Sequence, residues 1–206
     1  SQPFYLNISF FDPHPPFDPP KEFSEMYDWK NMKTPVGLEN YHEDRPEYPY
    51  TKIIQEGLTK RGIKEEEWLK IRAAYYGLIS LVDKQIGKII DKLEELNILD
   101  NTLIMISTDH GDMLGDHSLI EKGPYHYDPT IRIPLIMSLP NKLPMGEEVD
   151  ELVQHIDFAP TFLEAADLNI PNGMQGNSLI PIANKKKNGY TATMTEDFGM
   201  LSVWKG

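Results

Sequence analysis

The pattern that most constrains this chain is a long helical repeat followed almost at once by an apolar strand. Over residues 65–96, apolar side chains recur every three or four positions and charged side chains occupy the other side. At ~1.5 Å per residue, the repeat predicts a helix of roughly 48 Å that spans a sheet. The apolar runs at 103–106 and 131–139 predict two strands. This order of helix and strands predicts an α/β sandwich.

The remaining segments have weaker patterns. Residues 4–11 predict a further strand, because aromatic residues and Ile alternate loosely there. The other predictions are a long surface excursion with short helical turns over 21–62, a helix over 155–168, a loop over 171–188 and β structure over 190–204.

Composition excludes several classes of function. The 206 residues contain 20 Lys and Arg against 32 Asp and Glu, a net charge of −12. This argues against a nucleic-acid partner, because phosphate contacts need a basic face. The absence of Cys excludes disulfides, thiolate metal ligands and a cysteine nucleophile. No stretch approaches the ~18 consecutive apolar residues of a membrane span, and nothing indicates an oligomeric state.

Two metal-binding residue types follow directly on the first predicted strand. Asp109 and His110 lie where ligands bind in open α/β sheets, and Gly111 lets the backbone turn tightly there. Carboxylate and imidazole suit Ca²⁺, Mg²⁺, Mn²⁺ or Zn²⁺. Two ligands are too few, so others must come from elsewhere. The structural alternative is that Asp109 caps a turn and His110 packs beside it.

Two further side chains could meet an anionic substrate. Lys122 lies thirteen residues beyond Asp109 in the same loop, where its ammonium could reach an anionic ester. His14 stands between two prolines, on a stiff loop just after a predicted strand. The alternatives are an ordinary surface lysine and an exposed loop histidine.

Taken together, these motifs resemble a known family. They are STDHGDMLGDH at 107–117, KGPY at 122–125, Asp128, RIPLI at 132–136, FFDPHPPF at 10–17, Asp83 in the long helix, HIDFAPTF at 155–162 and GNSL at 176–179. Their order resembles the C-terminal half of the formylglycine-dependent sulfatase catalytic domain. The resemblance implies an alkaline-phosphatase-like sandwich of a mainly parallel sheet with helices, its N-terminal strands missing. It assigns residues 1–189 to the catalytic domain and 190–206 to the start of a small C-terminal β-rich subdomain.

The resemblance also implies a reaction and a set of site residues. Asp109 and His110 would bind the active-site divalent cation, most often Ca²⁺ in this family, with Mg²⁺ and Mn²⁺ as alternatives. Lys122 and His14 would contact the sulfate group or the leaving oxygen. His117 would support the residues that make these contacts without touching the substrate itself. The implied substrate is a sulfate monoester of a small molecule or saccharide. The implied compartment is periplasmic, secreted or lysosomal.

One departure from the family pattern is large. The family's nucleophile is a formylglycine made from a Cys/Ser-x-Pro/Ala-x-Arg motif, and a paired Asp-Asp completes its metal site. This chain contains neither. We therefore expect a fragment that lacks the N-terminal third of the domain, where the formylglycine is expected, and most of the small C-terminal domain. Such a fragment would be inactive alone.

Two alternative functions stay open at the level of sequence. One is a phosphonate monoester hydrolase or phosphodiesterase on the same scaffold, and the other is a non-catalytic module. Substrate specificity is expected to reside in residues 15–62 and in the missing parts.

Overall fold

The protein is described by a computed structural model, which covers residues 3–38, 62–123, 126–197 and 200–205. The helices in these ranges are α1 (Lys21–Ser24), α2 (Glu65–Glu95), α3 (Asp128–Ile131), α4 (Phe158–Ala165) and α5 (Ile180–Ala183). The strands are β1 (Ile104–Ser107), β2 (Leu135–Ser138), β3 (Ala192–Asp197) and β4 (Met200–Lys205). Single 3₁₀ turns lie at Trp29–Asn31, Leu99–Asn101, Asp116–Ser118 and His155–Asp157.

The chain divides into two compact units. The strand unit comprises Ser1–Leu6, Leu93–Ser107 and Pro134–Gly206. The helix unit comprises Asn7–Lys92 and Thr108–Ile133. All five predicted site residues belong to the helix unit.

The strand unit contains two antiparallel strand pairs. β1 pairs with β2, with Ile104 opposite Ser138, and β3 pairs with β4, with Ala192 opposite Lys205. Both pairs that form among the described strands are antiparallel, so they do not include the parallel part of the predicted sheet. Leu139, Leu179 and Ile182 are buried in this unit.

The buried carboxylate of Asp157 joins three segments of the strand unit. It accepts hydrogen bonds from the backbone N–H groups of Gln154 and Asn177, both at 2.8 Å, and from the Tyr190 hydroxyl at 2.7 Å. Burial and the adjacent Asp157 raise the pKa of Tyr190, against a smaller lowering by a hydrogen bond from Asn177. A buried carboxylate with several donors is well satisfied, so Asp157 acts here as a structural centre.

The helix unit is built on α2, which spans 31 residues as the apolar repeat predicts. Three glutamates occupy its first turn, where the helix dipole favours negative charge. Trp68, Ala73 and Leu78 are buried along this helix. The backbone of Phe23 approaches α2 at Gly77, where a Cβ atom would lie 2.6 Å from the Phe23 carbonyl oxygen. Glycine is therefore needed at this contact.

Several sequence predictions are confirmed and others are corrected. The helices at 65–96 and 155–168 and the β structure near the C-terminus are present. The predicted strand at 131–139 begins only at Leu135, because Pro134 lacks an N–H group and the preceding residues form α3. The predicted loop at 171–188 contains α5, which Pro181 helps to start.

The predicted strand at 4–11 is not formed. These residues adopt no regular secondary structure, and the side chains of Phe4, Tyr5 and Phe11 are more than half exposed. The physical reason is that no described strand pairs with this segment, and a strand needs a hydrogen-bonded neighbour. In the predicted excursion at 21–62, α1 and the turn at Trp29–Asn31 supply the short helical turns. Residues 39–61 lie outside the described ranges.

Among the described helices, none combines the length and the apolar character that crossing a membrane requires.

Candidate active site

The loop that begins with the Asp109-His110 pair is seated against α3. The Gly111 N–H donates to the carbonyl oxygen of Thr130 at 2.9 Å. A Cβ atom at position 111 would lie 1.9 Å from the Pro129 carbonyl oxygen. No side chain fits there, so glycine allows the close backbone contact that fixes the start of the loop.

Asp109 and His110 present two donor atoms to the same region. Oδ2 of Asp109 lies 3.5 Å from Nε2 of His110, and the Asp109 side chain is 83% exposed. Burial acts to raise the pKa of the Asp109 carboxyl. The neighbouring His110 ring and the hydrogen bonds from N–H groups and from Thr108 outweigh that effect, so the pKa is lowered. The carboxyl is therefore readily ionised, as a metal ligand must be.

The geometry of His110 also fits a metal ligand. Its Nδ1 lies 2.8 Å from the Gly111 carbonyl oxygen. Because a carbonyl can only accept, this contact places a hydrogen on Nδ1, so Nε2, which lies on the side of Asp109, is the nitrogen that a metal ion would bind. An Nδ1–H bonded to a backbone carbonyl is the usual support of a metal-binding histidine. Asp109 and His110 thus fit two positions of a divalent cation site.

These two residues make only part of such a site. No three His, Asp or Glu side chains converge closely enough to hold an ion within the described ranges. The formylglycine of the family has no fit in this chain, because there is no Cys and no Ser begins the required motif.

Contacts within the loop close the segment that follows Asp109 and His110. The Asp112 carboxylate accepts from the N–H groups of Leu114 at 2.9 Å and Glu121 at 3.1 Å. Burial raises the pKa of Asp112 despite these two hydrogen bonds. Met113 and Leu119 are fully buried. Burying such side chains contributes about 1.5–3 kcal/mol each, so the loop has a small core of its own.

The structure brings Lys122 and His14 together. Nζ of Lys122 lies 3.5 Å from Nε2 of His14, although 108 positions separate the two residues. Nδ1 of His14 contacts the Pro15 carbonyl oxygen at 2.8 Å, and the Phe11 ring lies 4.7 Å from the His14 ring. The first contact assigns a hydrogen to Nδ1 and turns Nε2 to the lysine. The described contacts do not link this pair to Asp109 and His110.

His117 packs within the unit. Its ring stacks on Tyr127 with 4.5 Å between centroids, and its backbone N–H donates to the Val36 carbonyl oxygen at 2.6 Å. Its φ of 54° lies in the left-handed region, which is costly for a residue with a side chain. This placement agrees with a supporting role, which stays a prediction.

One residue that the sequence did not single out holds this loop. Arg72 of α2 forms an ion pair with Asp116, whose carboxylate the sequence suggested only as a loop acceptor. One sequence signal could have indicated it: Arg72 is four residues after Trp68 and three before Tyr75. Residues at that spacing share one helix face, so this arginine lies on the packed side of α2.

Comparison with known proteins identifies the family. The sequence profile of the family described as Sulfatase matches residues 1–168. The chain belongs to the sulfatase family. It is 32% identical to an arylsulfatase of Clostridium perfringens over 92% of this chain and 39% of that protein. It is also 36% identical to an N-acetylglucosamine-6-O-sulfatase of Bacteroides thetaiotaomicron over 52% of this chain and 19% of that protein.

The solved structures place this sulfatase-family chain in the alkaline-phosphatase-like fold, as the sequence predicts. A phosphonate monoester hydrolase from Silicibacter pomeroyi matches with a TM-score of 0.77 and 31% identity, over 89% of this chain and 38% of that one. The chain spans between about a fifth and about two-fifths of the length of the curated relatives it matches. The boundary between residues 189 and 190 stays a prediction.

Proposed function

We propose that this chain supplies part of the active site of a sulfuric ester hydrolase. The observation that carries the proposal is the approach of Lys122 to His14 in the unit that also holds Asp109 and His110. Two cationic or proton-bearing groups and two metal-ligand types within one compact unit suit an anionic ester. The sulfatases among its relatives support the choice of a sulfate ester.

In the proposed reaction, water and the ester R–O–SO₃⁻ give R–OH and hydrogen sulfate. The S–O bond to the leaving oxygen breaks, and that oxygen gains a proton. The Lys122 ammonium offsets charge on the sulfuryl oxygens as the bond breaks. His14, when its ring holds hydrogens on both nitrogens, donates the one on Nε2 to the leaving oxygen.

Asp109 and His110 would hold the divalent cation, which when bound offsets negative charge on the ester. Ca²⁺ is the proposed ion, with Mg²⁺ and Mn²⁺ as alternatives. We further propose that the nucleophile and the remaining metal ligands lie outside these 206 residues, since the chain contains neither the formylglycine motif nor the paired Asp-Asp. On that proposal the 206-residue chain alone hydrolyses no ester.

A sulfated saccharide is the proposed substrate class, by analogy with the N-acetylglucosamine-6-O-sulfatase relative. The second candidate function is hydrolysis of a phosphonate monoester by the same groups. The similarity to the phosphonate monoester hydrolase favours it specifically, because that match covers most of this chain.

The test compares Lys122→Ala with wild type in the whole protein. The substrates are an aryl sulfate and an aryl phosphonate with the same leaving group, and kcat/KM is measured for each. Removing a positioned charge costs about 100- to 1000-fold. We expect this loss on the sulfate ester, with unchanged circular dichroism. The matched control is Lys88→Ala, because Lys88 is an exposed lysine of α2 that bonds only Gln85 among the described contacts.

Near-wild-type turnover of the sulfate ester by Lys122→Ala would reject the assignment of Lys122. Higher wild-type kcat/KM for the phosphonate would favour the second candidate.

A further inference from the structure

Arg72 joins α2 to two other segments of the helix unit, residues 33–36 and the loop at 114–116. Its Nε donates to the Leu114 carbonyl oxygen at 2.9 Å and its Nη1 to the Lys33 carbonyl oxygen at 3.1 Å. Its Nη2 bonds Oδ1 of Asp116, and the two side chains are only 15% and 17% exposed. The rigid fork of a guanidinium can make these three bonds at once, whereas a lysine cannot.

The Asp116 carboxylate is shared between two of those segments. Its Oδ1 also accepts from the Val36 N–H at 2.7 Å. The Val36 carbonyl oxygen in turn accepts from the His117 N–H at 2.6 Å. The segment 33–36 is therefore bonded to both members of the ion pair and to His117, the loop residue that follows Asp116. Because desolvation offsets much of the attraction in so buried a pair, its main consequence is geometric.

The position of the ion pair is transmitted along the loop to Lys122. The Gly115 N–H donates to the Leu119 carbonyl oxygen at 2.8 Å, and the Met113 N–H donates to the Glu121 carbonyl oxygen at 3.1 Å. These bonds cross the loop between Arg72's contacts and the residue before Lys122. A shift of residues 114–116 would therefore move Glu121, and Lys122 with it.

The same helix fixes the loop that bears His14. The Phe17 ring meets the Tyr75 ring edge-on with 5.8 Å between centroids. The Tyr27 hydroxyl lies 2.7 Å from the Ser80 hydroxyl. α2 thus contacts the Lys122 loop at Arg72, the His14 loop at Tyr75 and the segment that follows α1 at Ser80.

We propose that Arg72 and Asp116 are positioning residues of the active site, acting on substrate only through the loop that holds Lys122. The inference rests on the proposed function, because it assumes that Lys122 meets the ester. It adds that contacts with α2 set the distance between Lys122 and His14, and that the Arg72–Asp116 ion pair determines the Lys122 side of that distance.

A double-mutant cycle in the whole protein tests the proposal. Arg72→Lys keeps the charge but loses the fork, and we expect kcat/KM on the aryl sulfate to fall about 10- to 100-fold, as small misplacements do. In the Lys122→Ala background, the same substitution should cost less than about 3-fold, because residues acting as one unit are not additive. Lys84→Ala is the control, since it breaks an exposed ion pair of α2 with Glu22.

Hydrogen exchange supplies a readout that does not depend on turnover. In Arg72→Lys, hydrogen exchange at the Met113 and Gly115 amides should become at least ~10-fold faster. The hydrogen bonds that these amides donate to Glu121 and Leu119 should open more often once Arg72 no longer holds the loop. Exchange at the Asn177 amide, held by Asp157 in the strand unit, should not change. Asp116→Asn, which keeps the side-chain shape, is measured in parallel and takes over the test if Arg72→Lys does not fold.

The outcomes separate this inference from the proposed function. An additive loss in the Lys122→Ala background, or unchanged exchange in the loop, overturns the positioning role and leaves the function standing. If Lys122→Ala itself retains sulfate ester hydrolysis, both fall.

Discussion

The carbonyl oxygen of Pro129 occupies the space where a side chain of residue 111 would begin. The contact is so close that a Cβ atom on Gly111 would lie 1.9 Å from that oxygen. The start of the loop that bears Asp109 and His110 therefore meets α3 through a direct backbone contact, with no side chain at residue 111 between them.

Gly111→Ala in the whole protein should displace this loop. We expect a loss of stability of about 1–3 kcal/mol from overpacking and a fall in kcat/KM of at least ~10-fold. Gly87→Ala is the matched control, because nothing lies within 4 Å of a Cβ atom there. That helical substitution should stabilise by about 0.5–1 kcal/mol. Chemical denaturation and steady-state assays measure both. Equal changes in the free energy of unfolding and in kcat/KM for the two variants would contradict the role of Gly111 in seating the loop.

Asp109→Asn should weaken binding of the divalent cation. The affinity for the ion should fall about 100-fold or more, since mutating even a residue that only hydrogen-bonds to a metal ligand typically lowers metal affinity about 10–100-fold. Calorimetric titration of the whole protein with Ca²⁺, Mg²⁺ and Mn²⁺ measures the effect. Asp128→Asn is the control, because that carboxylate makes an exposed pair with Arg132 in the same unit.

An unchanged affinity in Asp109→Asn would contradict the proposed metal ligand. A wild-type protein that binds none of the three ions would favour the non-catalytic module.

Tyr75 should make stability depend on alkaline pH. Burial, with smaller contributions from Asp112 and Tyr76, raises the pKa of Tyr75 to about 12. The folded state then keeps a proton that the unfolded state releases near pH 10, so this contribution is complete below pH 10 and is lost as the pH rises towards 12. Over that window, the free energy of unfolding should fall more steeply in wild type than in Tyr75→Phe.

Denaturant titrations at a series of pH values measure this slope, and Tyr76→Phe controls for loss of a phenol on the same helix. Identical slopes in wild type and Tyr75→Phe would show that the raised pKa does not contribute.

Asp157→Asn should destabilise the strand unit. The asparagine amide replaces one carboxylate oxygen by an NH₂ group, which cannot accept a hydrogen bond. At least one of the donors that now bond to the Asp157 carboxylate is then left unsatisfied. We expect a loss of about 3 kcal/mol in the free energy of unfolding, measured by urea denaturation. The exposed Asp150→Asn should stay within about 0.5 kcal/mol. A loss below about 1 kcal/mol at Asp157 would argue against its central role.

Secondary-structure elements were predictable from the sequence where apolar residues recur on a single face. The 3.6-residue period of α2 depends only on neighbours along the chain, so residues 65–95 form the expected helix. The failure at residues 4–11 has the complementary cause. A strand depends on a partner that is distant in sequence, and apolar alternation does not specify one.

The sequence by itself determined the residue types at the site. Asp109, His110, Lys122 and His14 were identified from their chemistry and from motifs whose order is typical of sulfatases, and the family profile confirms the membership. Their assigned roles remain proposals.

Only the tertiary structure decided which of these residues meet. The approach of His14 to Lys122 and the partly buried bonds of Arg72 to Leu114 and Asp116 join positions far apart in the chain. Local periodicity cannot encode such contacts, because they arise when separate loops pack on one helix. The motif at 107–117 identified the chemistry, whereas the packing around α2 decided its geometry.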